Sequence, residues 1–160
     1  METTHFTSVN LQQFIDENEI EATILSMTEH TPTVPDAARA LNVQPEQIIK
    51  SLVFLVEEAP LLVINNGLAR VDRRNIATRL GVGRKRVKFA SAEQALNITG
   101  YVVGSMPPFG HRRKLPTYID VAVTNLEIIF GGGGDINAML RLATVELLRV
   151  TAGEVLALSE

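Results

Sequence analysis

The chain has 160 residues, 46% of them hydrophobic, and its 15 Lys and Arg against 18 Asp and Glu give a formal net charge of −3. That size suits one domain, spanning 1–160, with an ordinary core. The absence of cysteine excludes disulfides, thiolate nucleophiles and Cys-ligated zinc, and His5, His30 and His111 lack metal-ligand spacing, so neither a metal nor a cofactor is expected.

In chain order, Ser8 caps a helix with Val9, Leu11, Phe14 and Ile15 on its apolar stripe, and Ala22 to Met27 reads as a strand. Thr33 with Asp36 three residues on resembles a capping box, Pro35 fits a first turn, and Ala37, Ala38 and Leu41 carry the inner face of the helix that follows. Pro45 opens a short helix through Ile49, so Lys50 is expected where that helix hands over to a buried strand, Ser51 to Glu57, with Pro60 to Asn65 returning beside it. Asp72 caps a helix carrying Ile76, Ala77 and Leu80, which Gly81-Val82-Gly83 ends. Ser91 with Gln94 caps another that stops near Asn97. Tyr101-Val102-Val103 reads as a buried strand, Tyr118 to Asp120 and Glu127 to Phe130 as further strands, and Met139 to Leu142 as an edge strand. Thr144 caps a last helix through about Val150. The irregular mixture of strands and helices predicts an α+β domain with a mixed, partly barrel-like sheet flanked by helices.

The start, Met1-Glu2-Thr3-Thr4-His5, lacks the basic flank and apolar core of a secretory leader, and no run of about 18 apolar residues follows. A cytoplasmic protein without a membrane partner is expected. Charge is segregated. From Arg70 to Lys114, eleven Lys and Arg face only Asp72 and Glu93, while before residue 60 ten carboxylates face Arg39 and Lys50. A basic stripe on an acidic protein fits a polyanionic partner, and it equally fits a solvated helix face.

Three features carry chemistry. Lys50 interrupts the apolar run Ile48 to Val56, where an ammonium needs a partner or a task; snorkelling to water, or pairing with Glu46 or Asp120, is the plain alternative. The loop Gly104-Ser105-Met106-Pro107-Pro108-Phe109-Gly110 offers the amides of Gly104 and Ser105, or is simply a proline-stiffened connection. The run Gly131 to Gly134 lacks the lysine of a P-loop and the Rossmann spacing, leaving either a turn or a backbone surface bare of side chains. Ser105 sits in no Gly-x-Ser-x-Gly elbow, and His111 is its one conceivable base.

The order of Thr33 to Ala38, Gln47 to Phe54, Thr99-Gly100-Tyr101 running into Gly104 to Gly110, Pro116 with Ile119-Asp120, and the glycine run before Leu140 to Leu147 resembles the YbaK-like family of aminoacyl-tRNA deacylases. This family includes the editing insertion of bacterial prolyl-tRNA synthetases, and the resemblance spans roughly residues 20 to 150. It implies a free-standing enzyme that hydrolyses the ester of mischarged tRNA. Lys50 stands at the family's essential lysine, and Gly104 with Pro108 matches its Gly-x-x-x-Pro loop. Catalysis is therefore assigned to Lys50 and Gly104, and substrate binding to Ser105, Met106, Pro107, Pro108 and one of Gly132, Gly133 and Gly134. Pro107 departs from the serine that many members carry.

On this reading Lys50 anchors the terminal ribose-phosphate or carbonyl, the Gly104 loop amides hold the oxyanion, and water attacks. The resemblance adds that the substrate's own ribose hydroxyl can assist. Arg70, Arg73, Arg74, Arg84, Lys85, Arg86 and Lys88 are the candidates for tRNA phosphates, with a synthetase as a further partner and no role for DNA. A non-catalytic tRNA-binding module and a small-molecule ester or amide hydrolase remain as alternatives.

Overall fold

The computed structural model describes residues 5–160; the stretch Met1 to Thr4, read above as lacking a leader's basic flank, lies outside them. The elements alternate irregularly: α1 (Ser8–Glu17), β1 (Ala22–Ser26), α2 (Val34–Leu41), β2 (Ile49–Val56), β3 (Ala59–Asn66), α3 (Arg73–Leu80), β4 (Val87–Phe89), α4 (Ala92–Thr99), β5 (Thr117–Asp120), β6 (Ile128–Gly132), β7 (Ala138–Ala143), α5 (Thr144–Thr151) and β8 (Glu154–Leu156). Five strands form a mixed sheet in the order β4-β2-β3-β5-β8, and three form an antiparallel sheet in the order β1-β7-β6. A parallel bridge between Ile48 and Phe130 joins the two, and among the described residues the strands do not close into a barrel. This is the mixed α+β architecture expected. Among the described residues no helix is long and apolar enough to cross a membrane.

Alternation along β2 and β3 splits the core. Ile49, Val53, Leu62 and Ile64 face a larger cluster that includes Leu11, Tyr101, Ile129 and Leu140. Phe54, Leu61 and Val63 face a smaller one closed by Ile76 of α3 and Leu158. Helix starts follow their caps. The Thr33 hydroxyl accepts from the Asp36 amide at 3.2 Å, Asp72 accepts from the Arg74 amide at 3.0 Å, and Ser91 with Gln94 completes a reciprocal box.

Several expectations are corrected. Thr7, not Ser8, caps α1, its hydroxyl accepting from the Val9 amide at 3.2 Å. Lys50 lies inside β2, because the turn at Pro45–Gln47 ends before Ile48. Tyr101 to Val103 is not a strand: Gly100, at φ 90°, turns the chain out of α4, and the Tyr101 amide bonds the Thr99 hydroxyl at 3.1 Å. Met139 to Leu142 lies in β7, the centre of its sheet, because β1 and β6 pair with its two sides. Ala143, not Thr144, occupies the cap position of α5, and the Thr144 hydroxyl is buried without a partner among the described residues. Gly131 and Gly132 belong to β6. Strand β8 was not anticipated; its three residues carry no alternation long enough to read.

The β2–β3 hairpin turns through Glu57 and Glu58, at φ 51° and 71°, a left-handed pair that glycine or asparagine adopts with far less strain. Glu57 is tied to Arg86 at 2.8 Å, whereas Glu58 enters no ion pair among the described residues. Glu58→Gly is expected to stabilise the protein by about 0.5–1 kcal/mol, read as a higher denaturant midpoint with an unchanged slope.

Candidate active site

Strand β2 pairs with β4 only from Phe54 to Val56, and the one backbone bridge to β6 among the described residues is at Ile48, just before β2. Between these points its outer edge is open, and a cleft of about 270 Å³ lies there. The Ala90 amide reaches the Val53 carbonyl at 3.0 Å and the Glu57 amide reaches the Arg86 carbonyl, so odd-numbered residues of β2 direct their backbone outward. Ser51 therefore turns its amide and carbonyl to the cleft. The remaining walls are Thr31 to Val34 with Ala37 of α2, Phe89 and Ala90 after β4, Val103, Gly104 and Met106, Gly132, and Met139.

Lys50 lines this cleft, half-buried, and its Nζ donates to the Ala69 carbonyl at 2.5 Å. Neither Glu46 nor Asp120 pairs with it among the described residues. Burial draws its pKa below the ordinary lysine value.

Gly104 takes φ 98°, and open space surrounds its missing side chain, so backbone conformation rather than crowding calls for glycine. Its amide and that of Met106 enter no hydrogen bond among the described residues. The Ser105 amide, expected to be free, instead donates to the Val102 carbonyl at 3.1 Å. The Ser105 hydroxyl takes the same acceptor at 2.9 Å, and the residue is fully buried. The expected inward-pointing Ser105 donor is thus absent, because the turn Val102–Ser105 consumes it. No hydrogen bond joins His111 to Ser105 among the described residues: the Ser105 hydroxyl is spent on Val102, and His111 Nε2 meets the Pro107 carbonyl at 2.8 Å.

The glycine run presses this loop into place. A Cβ on Gly132 would lie 2.1 Å from the Met106 carbonyl oxygen. The Gly134 amide donates to the Ser105 carbonyl at 3.0 Å, and the Gly133 amide to that of Ala138. Of the predicted binding residues, Met106 and Gly132 line the cleft with Lys50 and Gly104; Ser105, Pro107, Pro108, Gly133 and Gly134 do not line it. Pro108 faces a second cavity of about 290 Å³, bounded by Phe14, Phe109, His111, Lys114 and Arg149.

Among the basic candidates, Arg74 pairs with Asp72 at 2.9 Å and Arg86 with Glu57 at 2.8 Å, while Arg73 donates to the Val87 carbonyl at 3.4 Å. Arg70, Arg84, Lys85 and Lys88 are exposed and join no ion pair among the described residues. The run from Arg84 leads straight into Phe89, which is 58% exposed at the cleft mouth and packs edge-on against Phe54. Phe89 and the exposed Val103 were missed from the sequence; the available signal for Phe89 was an aromatic closing a run of cations. Among the described residues no group of three His, Cys, Asp or Glu could hold a metal.

The sequence model of the aminoacyl-tRNA editing domain matches residues 28–150. A candidate Cys-tRNA(Pro)/Cys-tRNA(Cys) deacylase of Enterococcus faecalis, EbsC, is 25% identical over 118 residues, covering 73% of this chain and 71% of that one. A Bacillus pumilus proline–tRNA ligase is 28% identical over 109 residues, 66% of this chain but only 19% of the ligase. The crystal structure of a candidate trans-editing enzyme for prolyl tRNA synthetase superposes with a TM-score of 0.89 at 28% identity, covering 96% of each chain.

Burial lowers the His111 pKa from 6.5 to about 4, partly opposed by its bond to the Pro107 carbonyl. Between those pH values the unfolded chain holds a proton that the native state refuses, so stability rises with pH across this window and levels off above it. Wild type is expected to lose up to about 3 kcal/mol between pH 6.5 and 4, and His111→Gln to lose correspondingly less over the same range, as measured by denaturant unfolding.

Proposed function

Since the chain belongs to the aminoacyl-tRNA editing domain family, we propose that it is a free-standing deacylase that hydrolyses the ester between a wrong amino acid and tRNA. The observation that carries this reading is the convergence of a cation, Lys50, with the unbonded amides of Gly104 and Met106 and the open edge at Ser51, around one cleft.

Water adds to the ester carbonyl, and the resulting oxyanion lies against the Gly104 and Met106 amides. The carbon–oxygen bond to the ribose then breaks and the ribose oxygen takes a proton, leaving free amino acid and tRNA. Lys50 holds the terminal ribose-phosphate or carbonyl. The ribose hydroxyl beside the ester assists, as the resemblance implies. A cleft of about 270 Å³, walled largely by apolar side chains, suits a small amino acid such as alanine, cysteine or serine. Phe89 at its mouth offers a face for the terminal base, and aromatic stacking of this kind contributes about 1–3 kcal/mol per base. Arg70, Arg84, Lys85 and Lys88 meet the acceptor-stem phosphates. Association with a synthetase and a cytoplasmic setting belong to the same reading.

Wild type is expected to deacylate at least one of alanyl-, cysteinyl- and seryl-tRNA, each on proline and cognate acceptors, with Lys50→Ala slowing turnover at least about 100-fold. Binding of tRNA without turnover on the whole panel would instead identify a non-catalytic module. Affinity for tRNA is expected to fall steeply between 50 and 200 mM salt, and Lys85→Ala with Lys88→Ala to flatten the log–log slope by about 1 per charge. A flat wild-type response in a filter-binding titration contradicts the phosphate contacts.

A further inference from the structure

The Ala69 carbonyl accepts two donors at once, Lys50 Nζ at 2.5 Å and Asn65 Nδ2 at 3.0 Å. Lys50 and Asn65 are cross-strand partners in the β2–β3 register, so their side chains leave the same face side by side. Behind Asn65 the contacts continue. Its Nδ2 lies 3.4 Å from the Ser159 hydroxyl, which donates to Asp120 Oδ2 at 3.0 Å, and Asp120 Oδ1 accepts from the Leu158 amide at 2.9 Å. Two further backbone bonds stitch 158–160 to the chain beside Ala69: Asp72 amide to Leu158 carbonyl at 2.7 Å, and Glu160 amide to Arg70 carbonyl at 2.8 Å.

We propose that Asn65, Ser159 and Asp120 are positioning residues that hold the ammonium of the cleft-lining Lys50 by fixing the direction of the Ala69 carbonyl. This rests on the reading of Lys50 as the working cation. Two observations separate such a role from ordinary packing. Asn65 is fully buried, yet its Oδ1 has no partner among the described residues. An orphaned buried acceptor costs stability, so the side chain contributes through its amide, and that amide is spent on Ala69. Asp120 is a carboxylate 3% exposed that joins no ion pair among the described residues. Its bonds go to the Ser159 hydroxyl and the Leu158 amide, the two groups that carry this chain of contacts. Ser159 lies beyond residues 28–150, the stretch the editing-domain model matches, so this chain's support for Lys50 reaches outside that stretch.

The charged groups on the segments around Lys50 are Glu46 before β2, Arg70 and Asp72 after β3, Asp120 at the end of β5 and Glu160 after β8. The test uses the full chain, with the Lys50 side-chain signal assigned in a lysine NMR titration by its loss in Lys50→Arg. In Asn65→Asp a carboxylate replaces the neutral amide next to the ammonium, and the Lys50 midpoint is expected to rise by about 1 unit or more. In Ser159→Ala, kcat on the best substrate of the panel is expected to fall about 10-fold or more with KM held, and Ser159→Thr to restore it. A Lys50 midpoint unmoved in folded Asn65→Asp, or an unchanged kcat in folded Ser159→Ala, overturns the proposal. If Asn65→Asp does not fold, the Lys50 signal in Ser159→Ala decides instead, a shifted midpoint supporting the chain of contacts and an identical one overturning it. Full turnover in Lys50→Ala overturns the deacylase reading of Lys50 rather than the contacts, which the titration still decides.

Discussion

Strand β2 changes partners along its length, and the site exists because of where it does so. It pairs with β3 from Ile49 to Val56, meets β6 at Ile48, and meets β4 only from Phe54. Backbone groups left unpaired on a strand are a liability in most folds and invite another chain. Here the gap is roofed by α2, the Gly104 loop and the segment after β4, so a few polar groups stay available inside a partly apolar cleft. The same strand carries Lys50, which ties the cation to a strand paired along its whole length with β3 rather than to a loop.

The roof depends on how closely two backbones approach. With Gly132 against the Met106 carbonyl and the Gly134 amide bonded to Ser105, the β6–β7 hairpin grips the Gly104 loop from one side. His111 and the Tyr101 hydroxyl hold its far end through the Pro107 and Gly110 carbonyls at 2.8 and 3.2 Å. The polar groups of Ser105 are consumed in this clamping. A loop whose binding groups were all free would be too loose to orient any of them; division of labour between Ser105 and its neighbours answers that conflict.

Legibility followed the range of the interaction. Thr33, Asp72 and Ser91 declare helix starts because donor and acceptor lie within three residues, and the order of motifs around Lys50 and Gly104 placed the cleft from sequence. Tyr101 to Val103 misled because a short apolar run says nothing about whether a sheet edge waits for it; here the Gly100 turn sends Tyr101 into the core as a brace. The engagement of the Ser105 amide depends on where the Val102 carbonyl falls, a matter of dihedral angles that residue types do not encode. Phe89 was hidden because an aromatic suits a sheet equally well inside or out. The partners that hold Lys50, Ala69 and, through Asn65, Ser159, lie 19 and 109 positions away along the chain, and no periodicity points to either.

Strand β8 closes long loops in the fold. It adds to β5 in parallel, and with it Leu158 enters the core between Phe54, Val63 and Ile76, far from all of them in sequence. Closing loops of that length is entropically costly and is favoured only once the intervening strands are in place. During synthesis, the hairpin bearing Lys50 emerges roughly a hundred residues before Leu158 and Ser159. The carbonyl that orients the ammonium is therefore braced at a late step, and a nascent chain displays its lysine long before it can aim it.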